Sequence, residues 1–208
     1  MLKRHVMFGA FICTLPFAAA CQGTPSQAAA TKWPPDLSKV PSGHSVALFA
    51  GGCFWCMEAP FDTLPGVVST TSGYTDGGVH NPTYKAVSRG ITGHTEAIRI
   101  IFNPAKISYA KLLEVFWRNI DPGAKNRQFC DAGTQYRSGI YTYNISQRKA
   151  ALASKKALKT LGAYTGPVYT EIKPASRFYA AESYHQDFYK KKPAHYYRYR
   201  AGCGRDAR

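Results

Sequence analysis

The chain has 208 residues, 45% of them hydrophobic, and 27 Lys and Arg against 12 Asp and Glu give it a net charge of +15. That length and apolar content suit one packed domain behind a leader and exclude general disorder. No named nucleic-acid motif accompanies the charge, so a solvated basic face near anionic lipid is expected, concentrated in KKKPAHYYRYRAGCGR at residues 190–205, with no nucleic acid as partner.

Residues 1–21, MLKRHVMFGAFICTLPFAAAC, have the layout of an export signal: Lys3, Arg4 and His5, an apolar run, then small residues. Two cleavages stay open, after Ala20 in an A-x-A context or just before Cys21, which would then carry lipid. Ala18 is a weak match to the Leu that lipoprotein signals usually hold there. Pro16 and the short span argue against an uncleaved anchor. Loss of residues 1–20 removes Lys3 and Arg4 and lowers the charge from +15 to +13. Residues 22–43, rich in Ala, Pro, Ser and Thr, read as a flexible linker, and the folded domain is placed at 44–208. An exported bacterial protein is expected, periplasmic or held at the membrane through Cys21.

Ser45 to Ala50 (SVALFA) reads as a strand, Gly51 and Gly52 as a tight turn, and Cys53 to Leu64 as a helix. Cys53 then stands at a helix N-terminus, where unpaired N–H groups and the dipole favour an anion. A thiol with pKa near ~8.5 is only about 3% ionised at neutral pH, so any lowering matters, and Cys53 is the expected nucleophile. Cys56, one turn on, is placed either to capture an oxidised Cys53 as a disulfide or to serve as a small buried apolar residue. Pro60 is expected to kink or shorten the helix.

Val67 to Thr75 reads as a second strand, followed by a Gly, Asp and Asn loop to Pro82, and Thr95 to Phe102 as a third with Glu96, Ile98, Ile100 and Phe102 on one face. Ser108 is expected to cap a helix from Tyr109 to Asn119. A strand at Ser138 to Tyr143, a helix from Gln147 to Leu161 capped by Ser146 and stopped at Gly162, and a strand at Val168 to Lys173 complete the chain. The early order matches the ferredoxin-like βαββαβ unit, a split βαβ arrangement with helices on one face of a mixed sheet: an α/β (α+β) two-layer sandwich.

Glu96 is the second candidate. If its strand face is buried, desolvation disfavours the carboxylate and leaves a usable general acid; the alternative is an exposed Glu paired with Arg99 or His94. Tyr84 and Tyr136 lie in polar segments between elements, where a hydroxyl can point into a cleft. Phe54 and Trp55 suit a core or a pocket wall. Past the leader the cysteines are Cys53, Cys56, Cys130 and Cys203. They lack the second C-x-x-C or paired His of a zinc site, so no metal is expected.

Together GCFWCMEAPF (Gly52 to Phe61), SGYTDGG with NPTYKAV (Ser72 to Val87), GHTEAI (Gly93 to Ile98) and CDAGTQYRSGIY (Cys130 to Tyr141) resemble peptide methionine sulfoxide reductase A, over about Val46 to Tyr189. The resemblance implies reduction of the S epimer of methionine sulfoxide, free or in proteins. It implies no bound cofactor, an external dithiol such as thioredoxin as reductant, and a monomer. Carried over by residue, Cys53 is the nucleophile, Glu96 the acid, Tyr84 and Tyr136 the oxygen-holding hydroxyls, Asp131 a supporting acid, and Phe54 with Trp55 the wall for the methyl group. Cys56 departs from the Gly of many relatives, which resolve through tail cysteines. Both Cys203, in a tail expected to be mobile, and Cys56 are therefore candidate resolving thiols, and Cys130 is expected to be packed. Without Glu96, Tyr84 and Tyr136, the Cys53/Cys56 pair alone would suit a thioredoxin-like disulfide oxidoreductase.

Overall fold

A computed structural model describes Leu37 and residues 40–207. The expected signal at 1–21, Cys21 included, and most of the 22–43 linker lie outside the described residues. In chain order the elements are β1 (Ser45–Gly51), α1 (Phe54–Asp62), β2 (Val67–Thr75), α2 (Tyr84–Ser88), β3 (Thr95–Phe102), α3 (Tyr109–Arg118), β4 (Arg127–Gln128), β5 (Asp131–Ala132), β6 (Ser138–Thr142), α4 (Ile145–Thr160), β7 (Glu171–Pro174), β8 (Tyr179–Ala180), α5 (Phe188–Lys191) and α6 (Pro193–Gly202).

Six strands form one sheet in the order β7-β6-β1-β3-β2-β8, and β4 pairs with β5 apart from it. Both β1 and β2 run antiparallel to β3, which lies between them, so β1, α1 and β2 make the split βαβ unit. Antiparallel β6 on the far side of β1 completes the ferredoxin-like core, and parallel β7 makes the sheet mixed.

Alternation along β1 divides its apolar residues between two layers. Ala47 and Phe49 face the helices with Ile98, Ile100 and Phe102, against Met57 and Phe61 of α1, Leu112 and Phe116 of α3, and Ala151 of α4. Val46, Leu48 and Ala50 point the other way, onto Tyr141, Tyr143, Ala175 and Phe178. Each such large apolar side chain, once fully buried, contributes about 1.5–3 kcal/mol.

Ser108 caps α3 as expected, its Oγ accepting the Lys111 N–H at 3.1 Å. The cap of α4 is Asn144, not Ser146. Asn144 Oδ1 accepts the Gln147 N–H at 2.8 Å, while Gln147 Oε1 accepts the Tyr143 N–H at 2.9 Å, so the helix starts two residues early. The strand expected from Val168 begins only at Glu171, because the Tyr169 N–H is engaged by the Pro122 carbonyl at 2.8 Å. The tail is also corrected. It forms α6 and a single 3-10 turn at Arg205–Ala207, and Cys203 is joined to Cys130 in a disulfide.

Candidate active site

The turn before the nucleophile requires glycine. Gly52 has φ +79°, and a Cβ there would fall 2.4 Å from Gln128 Cβ; one on Gly51 would fall 2.5 Å from Met57 Sδ. This bare turn delivers Cys53 to the N-cap of α1, where its own side chain caps nothing. The cap comes from Glu96, 42 residues beyond Phe54, whose Oε2 accepts the Phe54 N–H at 3.0 Å. Glu96 is 1% exposed. Burial pushes its carboxyl up to about 8; the Phe54 N–H and Arg205 oppose the shift, and the Asp131 and Cys56 charges add to it. The exposed alternative, paired with Arg99 or His94, is thus overturned, and Glu96 carries a proton at neutral pH.

The thiols differ from expectation. Cys53 is 7% exposed and Cys56 fully buried, and their sulfurs are hydrogen-bonded to each other. Burial, then the Cys56 hydrogen bond and the Glu96 charge, push the Cys53 thiol up instead of down. Cys56 is drawn down by the hydrogen bond from Cys53 and by Arg205 and Arg200, against its own burial. Negative charge in the resting pair therefore favours Cys56.

Tyr84 begins α2, with its N–H held by Glu182 Oε1 at 2.9 Å, and Tyr136 ends a 3-10 turn. Burial and then the Glu96 charge raise both hydroxyls, Tyr84 to about 12, and both also feel Cys53. They remain donors across the physiological range. Phe54 is buried with its ring 6.4 Å from that of Tyr84. Trp55 lies flat on Phe188 at 3.7 Å and donates from Nε1 to His185 Nδ1 at 3.0 Å. Asp131 accepts the Tyr199 hydroxyl on both carboxylate oxygens, at 2.5 and 2.6 Å, while burial raises its own pKa.

Cys53, Cys56, Glu96, Tyr84, Tyr136 and Asp131 thus interact electrostatically around one site. Cys203 is not in a free tail as expected but is bonded to Cys130, which is exposed and not packed. Several residues had no expected role. Glu58, inside the motif, is 1% exposed and pushed up to about 7 by burial, with the N–H groups of Asp187 and Phe188 opposing. His185, Tyr199, Arg200 and Arg205 all come from the C-terminal 24 residues, from His185 to Arg208. Among the described residues, no group of three His, Cys, Asp or Glu is placed to hold a metal.

A family model described as peptide methionine sulfoxide reductase matches residues 45–208. The chain belongs to that family. It is 52% identical over 160 residues to peptide methionine sulfoxide reductase MsrA of Bacillus subtilis (strain 168), a match covering 77% of this chain and 90% of the relative. Among solved structures it is similar to methionine sulfoxide reductase A of Corynebacterium diphtheriae, with 34% identity, a TM-score of 0.67 and coverage of 74% and 77% of the two chains. The reduced form of Mxr1 from Saccharomyces cerevisiae gives 30%, 0.69, and 74% and 88%. As a member of the family the chain is an oxidoreductase, and the candidate site residues described above all fall inside the matched span.

Proposed function

We propose that the chain reduces the S epimer of methionine sulfoxide, free or within polypeptides, with Cys53 as nucleophile and Glu96 as general acid. The observation that carries this reading is Glu96, a buried carboxyl held near 8 and bonded to the first N–H after the nucleophile. A dithiol exchanger of the thioredoxin kind needs no such acid.

Tyr84 and Tyr136 donate to the sulfoxide oxygen, Asp131 supports the site, and Phe54 and Trp55 receive the methyl group. Cys53 gives up its proton and its Sγ bonds to the sulfoxide sulfur while Glu96 protonates the oxygen. The oxygen then passes to Cys53 as both the sulfur–sulfur bond and the substrate's sulfur–oxygen bond break, a proton returns to Glu96 in place of the one it gave, and methionine leaves behind a Cys53 sulfenic acid. Cys56, hydrogen-bonded to Cys53, displaces that hydroxyl as water and forms the first disulfide. The buried disulfide then exchanges with Cys203 and Cys130 when these are thiols, leaving Cys53 and Cys56 reduced and Cys130–Cys203 oxidised. That is the combination found here. An external dithiol such as thioredoxin meets the surface pair and returns two electrons; the yeast protein Mxr1 has been crystallised in complex with Trx2. Residues 1–21 export the chain, to the periplasm or through a lipid on Cys21 to the membrane, where it works as a monomer.

The test is a single turnover of the fully reduced chain on a methionine S-sulfoxide peptide without reductant. About two methionines per chain are expected, one for each disulfide that can form. No methionine would overturn the reductase reading and favour dithiol exchange.

A further inference from the structure

We propose that Arg205 is the residue that activates Cys56 for attack on oxidised Cys53, and that the Cys130–Cys203 disulfide holds it in place. This rests on the thiol sequence proposed above and assigns one of its steps a positioning residue.

Arginine is almost never fully buried unless paired, yet Arg205 is 3% exposed. Its guanidinium donates to the carbonyl oxygens of Gly51 at 3.1 Å and Asn119 at 3.3 Å, and approaches Met57 Sδ at 4.0 Å. It also lies 4.5 Å from the centroid of the Phe129 ring. All four partners are uncharged. A buried cation in such company lowers its free energy when negative charge develops beside it.

The groups that feel Cys56 are Cys53 on its own helix, Glu96 of β3, Asp131 of β5, Tyr196, Tyr199 and Arg200 of α6, and Arg205. Burial pushes both carboxyls toward their neutral forms, and Asp131 is engaged by Tyr199. Arg200 donates to the Cys56 carbonyl at 3.2 Å, but it is already ion-paired with Asp206. Both arginines favour negative charge on Cys56, Arg205 more than Arg200, and Arg205 is the one whose own hydrogen bonds all go to uncharged groups.

The seat of Arg205 is built into the fold. A Cβ on Gly52 would fall 2.7 Å from its Nη2, so the turn that presents Cys53 is bare where the guanidinium lies. Gly204, at φ +70°, reverses the chain immediately after Cys203 and turns Arg205 inward. The disulfide to Cys130 fixes the residue before that reversal.

In the step assigned to Cys56, its thiolate forms a bond to Cys53 Sγ, and the S–O bond of the sulfenic acid breaks. The departing hydroxide takes a proton from solvent and becomes water. The Cys56 sulfur is oxidised and the Cys53 sulfur reduced by the same electron pair. Only the thiolate of Cys56 attacks, so a cation that favours it raises the rate directly.

The test follows the first turnover of wild type, R205M and R205K on a methionine S-sulfoxide peptide, without reductant, from about pH 6 to about pH 9. Methionine is read by chromatography; the Cys53–Cys56 disulfide and dimedone-trapped Cys53 are read by mass spectrometry. In R205M the disulfide step is expected to slow about tenfold more than methionine release, with trapped Cys53 accumulating. Its rise with pH is expected about one unit later than in wild type. R205K keeps the charge and is expected to stay within about threefold of wild type. A merely structural role would slow both steps together and leave the pH profile in place, and that result overturns the proposal. If R205M fails to fold, the wild-type chain carries the test, compared with Cys130–Cys203 oxidised and reduced. A slower Cys53–Cys56 step in the reduced form supports the clamp, and equal rates overturn it. Absence of methionine in wild type itself would overturn the underlying reaction instead.

Discussion

The two cysteine pairs of this domain are chemically alike and physically opposite. Cys53 and Cys56 sit at the head of α1, 7% and 0% exposed, as thiols. Cys130 is exposed, Cys203 half-buried, and the two are bonded across a separation of 73 residues. Burial shields the first pair from bulky thiols and from further oxidation, while the second faces whatever reductant arrives. In the proposed sequence the buried pair receives oxygen and the surface pair hands on the oxidising equivalent, a division that follows from local environment.

The largest effect expected is from Cys53→Ser, which removes the oxygen acceptor. Starting from the fully reduced chain, first-turnover methionine should fall at least ~10³-fold, and non-reducing mass analysis after exposure to the sulfoxide should find Cys130 and Cys203 still as thiols, because the exchange that oxidises them begins at Cys53. A Cys130–Cys203 bond formed by the sulfoxide in the variant would mean that the surface pair is oxidised by a route that bypasses Cys53. Next comes Glu96→Gln, expected to slow methionine release by about 10² to 10³-fold. Wild-type release should itself decline above about pH 8, where Glu96 loses its proton. The same substitution reads out on stability. Glu96 ionises in the unfolded chain near its ordinary 4.5 but holds its proton to about 8 when folded. The folded form binds the extra proton between those values, so stability falls as pH rises through them, and Glu96→Gln should remove that slope from urea melts.

Cys130→Ser sharpens the comparison from the surface side. The reduced variant should release about one methionine per chain instead of about two, and its turnover with a dithiol should fall by about tenfold. The smallest effect is the control, Asn144→Ala. Losing the α4 cap should lower stability by about 1 kcal/mol in denaturant titration and leave both thiol pairs reactive; a drop in activity would tie the distant helix to the site.

What was legible in the sequence was mostly periodic or local. The alternation of TEAIRIIF placed β3 and put Glu96 on one face with Ile98, Ile100 and Phe102, leaving its burial to the assembled fold, and two glycines before Cys53 announced the turn. Asn144 was legible too, since Asn three residues before Gln is a capping signal, but Ser146 offers a competing cap closer to the apolar run. The Cys130–Cys203 bond was not legible, because four cysteines allow three pairings and spacing cannot choose among them. Nor was α6, whose YYRYR segment lacks a clean apolar stripe. It is fixed instead by tertiary bonds such as Tyr199 to Asp131 and Arg200 to the Cys56 carbonyl. The direction of the Cys53 shift failed for a related reason. A helix N-terminus can be read from sequence, whereas the burial that outweighs it belongs to the assembled site.

The bond between Cys130 and Cys203 also bears on how long the molecule survives. A crosslink spanning 73 residues restricts the unfolded chain enough to favour the native state by about 4 kcal/mol on entropic grounds. The oxidised form should therefore melt higher and resist proteolysis longer than the fully reduced one. Conditions that damage other proteins by oxidation would then place this one in its most durable state, ready at Cys53 while its surface waits for electrons.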